Sequence, residues 1–96
     1  MFEVNDNVVK KALVTLAIEQ TLVDMGEPVL EEVTRRLVKE YKCYIPDCYE
    51  HPEYLKKILH DLYGSVYSTI SGSIRNKLDE FNHKESIAQF INVMVT

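Results

Sequence analysis

Excess positive charge, paired cysteines, long apolar runs and glycine-rich loops are all missing or scarce in this 96-residue sequence. Each gap removes a class of function. Eleven lysines and arginines against 15 acidic residues leave a net charge of −4. Nucleic-acid affinity comes mainly from neutralising phosphates with Lys and Arg, so this balance argues against a nucleic-acid partner. No apolar run approaches the roughly 18 residues that mark a membrane-crossing helix. Two cysteines, in a sequence without a leader-like segment, are expected in a reducing cytoplasm. There is no glycine-rich phosphate loop, no nucleophile elbow and no pair of carboxylates on an apolar face. No enzymatic activity and no cofactor are therefore expected.

What remains is the material of a small helical bundle. The chain is 46 % hydrophobic and 27 % charged, the balance of a globular protein. It is read as one domain over 1–96, with a core at about 7–81 and an apolar C-terminal helix at about 83–95. Asn5 or Asp6 caps a first helix from about Asn7 to Asp24, which Gly26 ends. This helix carries two apolar stripes, Val9, Ala12, Leu13, Leu16 and Val23 on one side and Val14, Ile18, Leu22 and Met25 on the other. A surface helix needs only one stripe, so the pattern predicts a helix covered on both sides. It is placed at the centre of an all-α bundle of four to five helices, the alternative being a subunit interface.

Glu27-Pro28 opens a second helix, with proline where a missing N–H costs nothing. Leu30, Val33, Leu37 and Tyr41 form its apolar stripe, and Glu31–Arg35 and Glu32–Arg36 are spaced as i,i+4 pairs. Tyr44 to Asp47 reads as a connector in which Pro46 pushes Ile45 into an extended conformation, from which it plugs the core. Pro52 starts a third helix with Leu55, Ile58, Leu59 and Leu62 inward. At Gly64-Ser65 a break is expected, although an unbroken, kinked helix to Phe81 would keep Leu62, Val66, Ile70, Ile74 and Leu78 in phase. Asn82 and Glu85 resemble a capping box for the last helix. From Ser86 to Thr96 no side chain is charged. That helix either folds back as a lid or docks on a partner.

Four constellations are candidate sites. Cys43, Cys48 and His51 have metal-ligand identities, but the spacing is loose and no second cysteine pair completes four ligands, so packed cysteines and no metal are expected. Arg35, Arg36 and Lys39 concentrate positive charge and are the residues for the alternative of nucleic-acid or regulator binding; Glu31, Glu32 and Glu40 balance them. The tyrosines at 41, 44, 49, 54, 63 and 67 suit either a recognition surface or the cover of a thin core. For self-association, the expected interface is Val14, Ile18 and Leu22 with Ile87, Phe90, Ile91 and Met94.

The helix ending in Met25-Gly26, the Pro28 to Tyr41 helix, Tyr41-Lys42-Cys43-Tyr44-Ile45, Glu50-His51-Pro52-Glu53-Tyr54-Leu55 and Leu62-Tyr63-Gly64 resemble the Nitrososphaera output domains, small archaeal helical domains. The resemblance covers about residues 8 to 80; the last helix lies outside it. It implies an all-helical fold and a role beside sensory or regulatory domains, with no catalytic residues to carry over. The expected function is a non-enzymatic output or interaction module of archaeal signalling, forming a homodimer and/or binding a regulatory protein.

Overall fold

Apolar residues surround the first helical segment, so periodicity alone does not choose its buried face; packing does. In the computed structural model, which describes residues 6–79 and 85–95, α1 spans Asp6–Met25. Val14, Ile18 and Leu22 are fully buried, with Ala17 and Thr21 beside them. The opposite face is open: Leu16 is 52 % exposed and Val23 44 % exposed. Within one chain the helix is thus covered on one side, and its own bundle does not supply the cover expected on the other. The helix does stand at the centre of the packing, touching α2, α4, α5 and the turn after α2. All of these neighbours lie on one side of it. The expected caps at Asn5 and Asp6 lie outside the described side chains.

Gly26 separates α1 from α2 (Glu27–Tyr41) with φ 131°, a conformation that L side chains rarely adopt. Val33 and Leu37 are the fully buried part of the α2 stripe, and Leu30 and Tyr41 pack at its margin. Of the two expected ion pairs, Arg36 reaches Glu32, at 3.4 Å. Arg35 turns to Glu32 instead of Glu31. Lys42 ends the helix in the left-handed region, φ 58° and ψ 36°. The reversal lets the N–H groups of Lys42 and Cys43 reach the carbonyls of Val38 and Leu37, at 3.1 and 3.3 Å.

The connector is a 3-10 turn, Ile45–Tyr49, rather than an extended segment. Pro46 sits in its first positions, where its fixed φ suits a helical turn. Extended backbone falls one residue earlier, at Tyr44. The Asp47 carboxylate accepts the Tyr44 N–H at 2.8 Å and locks the turn. Ile45, Cys48 and Tyr49 are all buried, so the expectation that Ile45 plugs the core holds although its backbone differs.

α3 (Pro52–Tyr63) buries Leu55, Ile58 and Leu59. The break at Gly64 is present: a 3-10 turn, Gly64–Val66, leads into α4 (Tyr67–Leu78). α5 (Glu85–Val95) folds back, with Ile87, Phe90 and Met94 buried against α4 and α3. The Tyr67 hydroxyl donates to the Met94 carbonyl and ties α4 to the end of α5. The start expected near residue 83 and the capping role of Asn82 lie outside the described residues. The chain is thus all-α. Among the described residues it has five α-helices and two 3-10 turns, and the buried apolar residues form one cluster.

Two expectations follow. Lys42 holds a left-handed conformation that disfavours a Cβ, so Lys42→Gly should stabilise the fold by about 0.5–1 kcal/mol. Urea denaturation would show this as a higher midpoint at unchanged m. Burial pushes the Cys48 thiol from 9.0 up to about 12 and the Tyr67 hydroxyl from 10.0 up to about 12. The folded state therefore keeps protons that the unfolded chain gives up above pH 9. Full stability is present below that point and falls as pH rises toward 12. Stability measured against pH should show this alkaline limb, and Cys48→Ala or Tyr67→Phe should each flatten it.

Candidate protein-interaction surface

The residues expected to carry function are mostly committed elsewhere. Val14, Ile18, Leu22, Ile87, Phe90 and Met94 are buried within their own chain, and Ile91 packs partly buried against them. The interface expected from these residues is corrected: α5 folds back and α1 turns this stripe inward, so none of the six buried side chains remains for a second copy.

Cys43, Cys48 and His51 do not converge. Both thiols are free and buried, and burial raises the Cys43 pKa as well. His51 stays at the surface, stacked on Tyr54 with ring centroids 4.7 Å apart, its Nδ1 3.4 Å from Glu53. Among the described residues no group of three or more His, Cys, Asp or Glu is arranged to hold a metal ion.

The basic cluster on α2 is neutralised where it stands. Arg36 bridges Glu32 and Glu40, and Arg35 also binds Glu32. These bonds raise the Arg36 pKa and lower that of Glu32. Lys39 is exposed on the same helix.

The tyrosines divide between cover and anchorage. Tyr41 and Tyr54 stack face to face at 4.1 Å, and with His51 they make a three-ring stack over the junction of α2 and α3. Tyr49 is an internal anchor: its hydroxyl hydrogen-bonds to Asn7 Oδ1 at 2.7 Å and Ser86 Oγ at 2.9 Å, joining the starts of α1 and α5. Ser86 is thus bonded to a phenol rather than to a base that would activate it. Tyr44, 60 % exposed, is the one tyrosine left largely in water.

The surface that sequence reasoning misassigned is the outer face of α1. Val8, Ala12, Leu16 and Val23 lie on the side of the helix opposite Val14 and Ala17, and all four are exposed. With Lys11, Thr15, Glu19 and Pro46 of the turn, three of them line a shallow groove of about 510 Å3. The Thr15 hydroxyl is turned back onto the Lys11 carbonyl at 2.7 Å, so it brings no unpaired donor to the groove. Lys11 donates to Glu50 Oε1 at 2.8 Å, which raises its pKa. The signal was present in the stripe Val9, Ala12, Leu13, Leu16 and Val23; what the sequence lacked was any indication that the bundle would leave it bare.

No family model matches the chain, and no solved structure matches it. The chain is similar to an arginine–tRNA ligase from Ignicoccus hospitalis (strain KIN4/I), with 36 % identity over 64 residues that make up 67 % of this chain. The likeness is confined to a small part of that enzyme, since the chain spans only 10 % of its length.

Proposed function

We propose that the chain is a non-enzymatic protein–protein interaction module that associates with a second copy of itself or with a regulatory protein. The observation that carries this is the exposed apolar stripe of α1. Apolar surface left in water forgoes roughly 25 cal/mol per Å2, and contiguous exposed patches mark interaction sites more often than isolated side chains do. Val8, Ala12 and Leu16, at i,i+4 steps along one groove, make such a patch. The resemblance to Nitrososphaera output domains supports the same reading, as does likeness to a short stretch of a much longer ligase, which is how a separable module behaves. The free, buried thiols fit a reducing cytoplasm as its place of work.

Leu16→Glu places a carboxylate in the middle of the stripe without touching the core. It should abolish association in sedimentation velocity while changing folding stability by less than about 0.5 kcal/mol. Unchanged association by Leu16→Glu would remove α1 from the interface.

A second reading is favoured by the name of the similar protein: contact with RNA through Arg35, Arg36 and Lys39. The carboxylates around the two arginines oppose it. Filter binding with bulk tRNA at low salt should detect no complex. Salt-dependent binding that is lost in Arg35→Ala with Arg36→Ala would establish this second reading instead.

A further inference from the structure

Resting on the reading of α1 as a docking face, we propose that its occupant is the same face of a second copy, laid antiparallel across a two-fold axis beside Thr15 and Leu16. Two features of this face select that partner.

The first is spacing. Residues 8, 12, 15/16, 19 and 23 run down the open side at steps of three or four. Read backwards from 23 the steps are the same. Antiparallel pairing about the centre therefore sets Val8 over Val23 of the second copy and the small Ala12 over the stem of Glu19. Leu16 meets the Thr15 and Leu16 pair on the axis. A stripe that matches itself on reversal is what an isologous contact requires, because each residue must find its counterpart twice.

The second is charge. Lys11 borders the stripe and Glu19 lies within it, both lining the groove; in the register that sets Ala12 over Glu19, Lys11 is the residue next to Ala12. Antiparallel pairing brings the Lys11 ammonium of each copy beside the Glu19 carboxylate of the other, two ion pairs by symmetry. Parallel pairing would set Lys11 on Lys11 and Glu19 on Glu19, and like charges facing each other are strongly disfavoured. Lys11 already holds Glu50, but that pair is exposed, and exposed pairs rearrange at little cost. Opposed helix dipoles favour the same orientation. One helix pair is small for an interface, so association between about 1 µM and 1 mM is expected.

The test uses the full chain at concentrations up to about 1 mM. Sedimentation equilibrium should show a monomer–dimer equilibrium. Lys11→Glu and Glu19→Lys should each weaken the dimer about tenfold or more, and an equimolar mixture of the two should restore it, since the mixed dimer regains both attractive pairs. Thermal melts of the separate variants check that each is folded. Because attraction between an acidic and a basic variant alone would also promote mixing, orientation is read from crosslinks. Val8→Cys mixed with Val23→Cys should form a mixed disulfide under mild oxidation, whereas Val8→Cys alone should not link to itself. The native thiols are buried and stay silent on that timescale. A chain that remains monomeric at about 1 mM overturns the pairing while leaving a heterologous partner for the same face. A dimer in which Val8→Cys links to itself overturns the antiparallel register. A dimer indifferent to Leu16→Glu overturns the docking face itself.

Discussion

A short chain has too little mass to cover an apolar helix on every side, and that constraint governs this structure. Ninety-six residues bury only about 60–65 % of the surface their unfolded chain exposes. α1 is the longest helix, and its neighbours α2, α4, α5 and the 3-10 turn approach it from one side. The face with Val14, Ile18 and Leu22 takes that cover, and the smaller Ala17 and Thr21 are buried beside them. Thr21 is tolerated there because its hydroxyl donates to the Ala17 carbonyl at 2.8 Å, leaving no unsatisfied group in the core. The other face is interrupted by Glu19 and Gln20, whose burial would have cost far more than that of a hydroxyl.

The stretch from Lys42 to Pro52 decides which face is covered. A left-handed residue at Lys42 reverses the chain at the end of α2. The Asp47 carboxylate then holds the Tyr44 N–H, so the 3-10 turn presents Ile45, Cys48 and Tyr49 together toward α1. Tyr49 extends that contact to α5 through Ser86 and to the start of α1 through Asn7. The turn thus joins the starts of α1 and α5, adding hydrogen bonds to the burial of Ile87, Phe90 and Met94 that holds α5 folded back. At the other end of α5, Tyr67 closes the seam at Met94.

How much of this was legible follows from how local each determinant is. The stop at Gly26, the starts at Pro28 and Pro52 and the break at Gly64 were readable, because glycine and proline act on their own backbone. The buried rows of α2 and α3 were readable because those helices are apolar on one side only. Lys42 was not, since nothing in a lysine announces a left-handed conformation, and the 3-10 turn was not, since Pro46 suits an extended or a helical neighbourhood. α1 and α5 failed for a different reason. Val14, Ile18 and Leu22 are no more apolar than Val8, Leu16 and Val23, and Phe90 would be as much at home in a docking helix as under a lid. Their placement depends on what else arrives, which is tertiary information. Two stripes were recognised on α1, and the one expected at an interface is the one the core consumes.

The open stripe also bears on the kind of assembly such a module can form. A patch that fits a different patch elsewhere on the surface adds copies without end, because each addition leaves a free site. A stripe that fits its own reversal is used up on both copies at once. In the pairing proposed, Lys11 and Glu19 add to this, since they attract each other across the contact only when the second copy runs the opposite way. The net charge of −4 then works against closer approach of further copies, over a screening distance of about 8 Å at physiological salt. An exposed apolar helix would ordinarily be an aggregation hazard; in the pairing proposed, this symmetry and these charges would limit association to pairs.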